Sequence, residues 1–300
     1  MPADPWSDWQ PLAGQPPLTA PVLAEILDGG QTFRWTARTD GTWQGVWSDC
    51  VARLKLQANG RLLWSAPAKL VVRAEKMLPG YLAGGRDFGA LADTLPWRSD
   101  AHLARCLRAF PGLLIPRQPF GETLLCFLCS ATKQIVQIKQ MVALLAERHG
   151  KVFAQTGDTV LHRLPTWAEL AEIPEPALRV CLLGFRARYI KETARFLAAR
   201  PGWLEETEHL PYPAAKARLL ELPGVGEKVA DCVLLFGAGK LEAFPVDTWI
   251  LKAMVRHYDL DGWSPAQVAH FGRTHFGPLA GLAQQYLFAW ERAEARRGSA

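Results

Sequence analysis

No apolar stretch in this 300-residue chain approaches the roughly eighteen residues a membrane span requires, so a membrane-spanning helix is not expected. Cysteine is sparse as well: six, at positions 50, 106, 126, 129, 181 and 232. Cys126-x-x-Cys129 lies in the apolar run Leu124 to Leu128 with no second ligand pair, so it reads as core packing rather than a metal knuckle. No secretory n-region opens the chain, and scattered thiols without a leader point to a reducing compartment. Neither sign of charge dominates: 34 basic against 29 acidic residues leave +5. That suits approach to a polyanion without proving one. Two nucleotide-binding fingerprints are also missing. Gly224-Val-Gly-Glu-Lys-Val229 lacks the third glycine of a dinucleotide fold, and Gly237-Ala-Gly-Lys-Leu241 lacks the upstream glycine and the Ser/Thr of a P-loop. No internal repeat or low-complexity tract is present.

The chain changes character about a third of the way along. The segments 31–36, 42–47, 51–56 and 60–64 alternate polar and apolar residues around Asp40-Gly41 and Asn59-Gly60, which predicts antiparallel strands joined by hairpin turns. After about Asp93 the period lengthens to that of helices, with Pro or Gly punctuation. The expected class is α+β: an N-terminal antiparallel β-sheet domain over residues 1–108, then an all-helical body over 109–300 with a helix-hairpin-helix around 214–238.

The hairpin carries the chemistry. Leu222-Pro-Gly-Val-Gly226 separates a helix ending near Leu222 from one running Glu227 to Phe236. Such a turn leaves the first N–H groups of the second helix unpaired, and glycine admits a phosphate close to them. Gly224, Val225 and Gly226 are thus candidate DNA-backbone contacts; the alternative is a plain turn between packed helices. Lys228 falls in the first turn of the second helix, on one face with Cys232. The helix dipole there disfavours a cation and so favours the free amine of a nucleophile, although a solvated pair with Asp231 is the plainer alternative. Asp247 precedes the apolar-periodic run from Thr248, where an N-cap belongs, and can fill that role while aiming a carboxylate into a cleft.

Two further segments offer aromatic rings. In the C-terminal helix Leu279, Leu282, Ala283, Tyr286, Leu287 and Trp290 form an apolar stripe, while Gln284 and Phe288 fall on nearly the opposite face. A ring one turn from an amide can stack on a base and read its edge, or it is simply a surface phenylalanine. Phe185 follows the helix-stop Leu183-Gly184 beside Arg186 and Arg188, an arrangement suited to a wedge in the duplex with arginines on phosphate. A core phenylalanine with solvated arginines is the alternative.

Leu222-Pro-Gly-Val-Gly-Glu-Lys-Val-Ala-Asp-Cys232 with Pro245-Val-Asp247 closely resembles the helix-hairpin-helix glycosylases with a catalytic aspartate, and within them the 8-oxoguanine DNA glycosylases. The resemblance extends to Gly29–Trp35, Leu183–Tyr189 and Gly277–Phe288, nearly the whole chain. It implies a bifunctional enzyme in which Lys228 attacks the sugar and Asp247 stabilises the developing charge and moves protons. It also implies excision of 8-oxoguanine from double-stranded DNA, followed by β-elimination. Gly30, Cys232, Gln284 and Phe288 would surround the base. The Gly30 carbonyl would accept the N7 hydrogen that 8-oxoguanine has and guanine lacks.

Some positions depart from the family. Better-known members carry asparagine at Thr132 and arginine at Gln137, both on the estranged cytosine, which predicts a relaxed opposite-base preference here. Trp249 stands where they carry a phosphate-touching histidine. Related enzymes hold an iron–sulfur cluster after the hairpin, but no cysteine follows Cys232, so no cluster is expected. A monovalent cation at the hairpin is compatible with the resemblance; no catalytic metal is expected. The chain is expected to act as a monomer, in a bacterial cytoplasm at the nucleoid in preference to a eukaryotic nucleus. The alternatives are a monofunctional glycosylase for alkylated bases and a non-enzymatic DNA-binding module.

Overall fold

The computed structural model describes residues 4–83, 85–157 and 159–297. A short strand β1 (Gln10–Pro11) and a helix α1 (Ala20–Asp28) precede β2 (Trp35–Ala37), β3 (Trp43–Trp47), β4 (Cys50–Leu56) and β5 (Leu62–Ser65). These form one antiparallel sheet in the order β1-β5-β4-β3-β2. The expected turns are present: Gly41 and Gly60 take the left-handed φ values of 78° and 81° that such turns demand. The segment 31–34 is not strand. Thr32 turns back to donate to the Leu27 carbonyl at 2.7 Å, and Phe33 packs edge-on against Phe127, so tertiary contacts override the alternation.

Helices follow: α2 (Val71–Ala83), α3 (Phe88–Asp93), α4 (Ala101–Ala109), α5 (Phe120–Leu128) and α6 (Ile135–His149). A two-stranded hairpin of β6 (Val152–Thr156) and β7 (Thr159–His162) then interrupts the body expected to be all-helical. Beyond it come α7 (Trp167–Glu172), α8 (Glu175–Leu178), α9 (Arg186–Ala198), α10 (Trp203–His209), α11 (Tyr212–Leu220), α12 (Glu227–Phe236), α13 (Thr248–Tyr258), α14 (Pro265–Phe276) and α15 (Ala280–Arg297).

The core is continuous across residue 108. Trp35 of the sheet donates to Tyr81 of α2 at 3.1 Å, and α4 packs on α15 from the far end of the chain. Packed by α4, α13 and α14, α15 is buried nearly all round from Ala280 to Leu287. No helix among the described residues is long and apolar enough to cross a membrane.

Candidate active site

The hairpin between α11 and α12 is held by an ion network that runs from the buried Asp231 to the exposed Glu227. Asp231 accepts from the Tyr212 hydroxyl at 2.8 Å and pairs with Lys216 at 3.0 Å, and Lys216 also meets Glu227 at 2.6 Å. This settles the plainer alternative for Lys228, since Asp231 is committed to Lys216 instead. Thr193 of α9 donates to the Pro223 carbonyl at 3.1 Å and fixes the turn from the side. Gly224 sits at φ 79°, and a Cβ there would come within 2.6 Å of the Tyr189 ring. At Gly226, by contrast, a Cβ would meet nothing within 4 Å. Gly224 is therefore a backbone requirement, and Gly226 is open to an incoming group. Val225 is corrected as a phosphate donor: its N–H is spent on the Leu222 carbonyl at 3.1 Å and its side chain is buried. The exposed backbone lies at Gly224 and Gly226, ahead of the free amides of the first turn of α12.

Above the hairpin opens a cavity of about 1190 Å³, lined among others by Gly30, Phe33, Phe127, Ser130, Thr132, Lys228, Asp247, Trp249, Phe288 and Arg292. Lys228 and Asp247 come from the N-termini of α12 and α13 and meet in this one space. The Lys228 ammonium lies 3.4 Å from the Ser130 hydroxyl and 5.0 Å from the centroid of the Phe127 ring, and no ion pair to it occurs among the described residues. Ser130 in turn donates to the Phe127 carbonyl at 2.7 Å, which fixes its oxygen toward the lysine. Asp247 caps α13: its Oδ1 accepts from the amides of Trp249 at 3.0 Å and Ile250 at 2.9 Å. Burial raises its pKa above the ordinary aspartate value, against the pull of those amides and of Lys228. Cys232 lies behind Lys228, fully buried, and burial pushes its thiol up to about 11. It sits beneath the lysine rather than in the cavity wall.

The far wall is built from the opposite end of the chain. Gly30, at φ 96°, is placed so that a Cβ would fall 2.9 Å from Ile135 Cδ1 and 3.8 Å from Phe288 Cζ. The Gly30 backbone and the Phe288 ring thus face one slot. Gln284 does not reach it. Only 3 % exposed, its amide donates to the Pro245 carbonyl at 3.1 Å and its Oε1 accepts from Gln285. The face that looked polar on the helical wheel is covered because α15 is a central helix. Arg292, one turn past Phe288, lines the cavity in its place, paired with Glu25 at 2.6 Å.

Phe185 stands at the N-terminus of α9, 52 % exposed and outside the cavity lining, as a displayed ring must be. Arg186 is corrected. Only 2 % exposed, its guanidinium donates to the carbonyls of Ala131 and Leu183 and to the Thr132 hydroxyl. It is a strut for the 131–132 turn and is not free to hold phosphate. Thr132 adopts a left-handed φ of 54°, unfavourable for a β-branched residue, with the Arg186 bond holding it there. Gln137 accepts from the Gln134 amide at 3.2 Å, completing a capping box on α6. Trp249 is half-buried at the rim, with Lys252 over its ring at 5.2 Å.

Sequence reading missed Phe33, Phe127, Ser130, Ile135 and Arg292. No local pattern marks them; Ser130 reaches Lys228 across 98 residues of chain.

A glycine hairpin presenting free amides beside a cleft that holds an amine and a partly buried carboxylate defines a helix-hairpin-helix protein equipped for chemistry on a nucleic-acid backbone. Comparison with known proteins gives the family: the chain belongs to the HhH-GPD superfamily of base excision DNA repair proteins, whose sequence model matches residues 125–275. A probable N-glycosylase/DNA lyase of Methanothermobacter thermautotrophicus is 31% identical over 219 residues, 66% of this chain and 69% of that protein. An N-glycosylase/DNA lyase of Arabidopsis thaliana is 32% identical over 65% of this chain, which spans 56% of that relative's length. Among solved structures, the 8-oxoguanine glycosylase/lyase of Clostridium acetobutylicum, in complex with double-stranded DNA containing cytosine opposite 8-oxoguanine, superimposes with a TM-score of 0.83. It is 32% identical, covering 91% of this chain and 92% of that one.

Proposed function

We propose that this protein flips 8-oxoguanine out of duplex DNA, excises it, and nicks the strand through a lysine Schiff base. The observation that carries the reading is the meeting of Lys228, Asp247, Gly30 and Phe288 around one cavity above the glycine hairpin. Extruding the nucleotide costs a few kcal/mol, and a ring such as Phe185 can fill the stack it leaves. Inside, the base slides between the Phe288 face and the Gly30 backbone. A carbonyl at Gly30 would accept the N7 hydrogen of the oxidised base and repel the N7 lone pair of guanine.

Lys228 Nζ, having given up a proton, forms a bond to the anomeric carbon as the glycosidic C–N bond breaks. The base departs with the electron pair and is protonated. Asp247 offsets the positive charge that builds on the sugar, and the burial that raises its pKa suits it to accept and return the proton. Ring opening gives the Schiff base, and loss of the 3′-phosphate by β-elimination cuts the strand. An amine and a carboxylate suffice for these steps, with the hairpin amides, alone or with a monovalent cation, gripping phosphate. The enzyme acts as a monomer, in the bacterial cytoplasm at the nucleoid.

A relaxed preference for the opposite base belongs to the same proposal. Thr132 Oγ1 already accepts from Arg186 and Gln137 Oε1 from the Gln134 amide, so only their neutral O–H and N–H donors remain for a cytosine, in place of charge-assisted contacts. The test uses duplexes with 8-oxoguanine opposite each of the four bases, with and without alkaline workup. Excision opposite all four within about tenfold (about 1.4 kcal/mol) is expected, and a thousandfold preference for cytosine would overturn the relaxed reading. No excision opposite any base would overturn the substrate.

A further inference from the structure

A second cluster of chemistry-bearing side chains lies at the other end of α13 and takes no part in the excision scheme. His102 and Cys106, four residues apart on one face of α4, meet His257 in the last turn of α13 and Glu291 of α15. Three of the four are buried: His102 at 5 % exposure, Cys106 at 0 % and Glu291 at 2 %. One ligand atom from each of His102, His257 and Glu291 lies within 4.8 Å of the others. Cys106 Sγ is 3.6 Å from His102 Nε2, and His257 Nε2 is 3.1 Å from Glu291 Oε1. We propose that His102, Cys106, His257 and Glu291 form a binding site for a single divalent transition-metal ion of the zinc class, which staples α4, α13 and α15 together.

The spacing supports it. Zinc bonds of about 2.3 Å to sulfur and about 2.0 Å to nitrogen or oxygen in a tetrahedron put ligand atoms about 3.6 Å apart for S···N and about 3.3 Å for N···O. The two observed pairs match those edges to within a few tenths of an ångström. Charge supports it too: one carboxylate, one thiolate and two neutral imidazoles balance a dication, which suits a largely buried site with Trp290 and Tyr258 against the His102 ring. Because a thiol must ligate as thiolate, binding releases the Cys106 proton to solvent. Arg256 pairs with the other oxygen of Glu291 at 3.2 Å, an outer partner that orients the ligand.

One movement is needed. The two imidazoles are stacked with centroids 3.6 Å apart and planes 13° from parallel, so their in-plane lone pairs do not converge. His257, the least buried member, must rotate to close the tetrahedron, and the exposed Arg105, 3.4 Å from His102 Nδ1, must stay clear. The site lies one helical turn beyond Phe288 on α15 and at the opposite end of α13 from Asp247. It would act as a staple behind the pocket, not as a catalytic centre.

The test uses the full chain without an affinity tag, stripped with chelator and titrated with Co²⁺ and then Zn²⁺. The expected result is one ion per chain, tetrahedral Co²⁺ absorption with a thiolate charge-transfer band, and a Tm that rises with Zn²⁺. Cys106→Ser should lose the charge-transfer band, and His257→Asn, at the least buried of the four positions, should weaken binding at least tenfold and abolish the Tm shift. No ion bound more tightly than millimolar, or binding unchanged in both variants, would overturn the proposal.

Discussion

Gly224 and Gly226 sit two residues apart in the same turn, yet the structure assigns them opposite kinds of constraint, and alanine separates the two. At Gly224 the φ of 79° costs an alanine about 1–2 kcal/mol. A Cβ 2.6 Å from the Tyr189 ring adds an overpacking term of about 1–3 kcal/mol. Tyr189 is 38 % exposed and can yield, so the lower part of that range applies. The smaller entropy of the unfolded chain returns about 0.4–1 kcal/mol. Gly224→Ala should therefore destabilise the protein by about 1–3 kcal/mol. Gly226 is extended, at φ −99°, with open space where the Cβ would go. Its replacement loses part of a helix-cap preference, about 0.5–1 kcal/mol, and recovers a similar amount from the unfolded state. Gly226→Ala should leave stability nearly unchanged while placing a methyl where phosphate must approach. Urea unfolding gives the first quantity and fluorescence anisotropy with an abasic-analogue duplex the second. Wild-type stability in Gly224→Ala, or wild-type affinity in Gly226→Ala at low salt, would refute the assignment of the turn.

Arg186→Ala leaves the buried Leu183 carbonyl without its side-chain donor and frees the exposed 131–132 turn, and should cost about 1–3 kcal/mol of stability. Its slope of log K against log salt should stay at the wild-type value, whereas a lost phosphate contact would reduce the slope by about one. Asp247→Asn keeps an oxygen for the Trp249 and Ile250 amides, so Tm should hold within a few degrees while single-turnover excision falls by orders of magnitude. Protonation of Asp247 should add a further fall in single-turnover excision as pH drops through a value above the ordinary aspartate value of about 3.9, beyond the loss from protonating the Lys228 amine. Because the folded state holds that proton more tightly than the unfolded one, this group's contribution to stability grows as pH falls. Protonation of Asp247 itself should therefore not unfold the protein, which circular dichroism at the pH of activity loss checks. Phe185→Ala, at an exposed ring, should alter stability by no more than about 0.5 kcal/mol and slow single-turnover excision at least tenfold.

The parts legible in the sequence were those governed by neighbours along the chain. The bounds of α12, the cap at Asp247 and the turns at Gly41 and Gly60 follow from local rules and stand where those rules put them. What could not be read depended on which elements pack together. Arg186 looked like a surface arginine because nothing nearby in sequence shows that the Ala131 carbonyl it serves, 55 residues upstream, lies beside it. Gln284 looked exposed because a helical wheel assumes one covered face, and α15 is covered on several. Val225 offered an amide on paper that the turn itself uses. The β6–β7 hairpin lies in a stretch whose helical flanks masked it.

Borohydride trapping of the covalent complex on an 8-oxoguanine duplex, with the modified peptide mapped by mass spectrometry, bears most directly on the central claim. Lys133 and Lys252 line the same cavity as Lys228, so the mapping decides which amine reacts. A single adduct on the peptide carrying Lys228, absent from Lys228→Gln, is the expected result. An adduct on Lys133 or Lys252, or one that persists in Lys228→Gln, would contradict it.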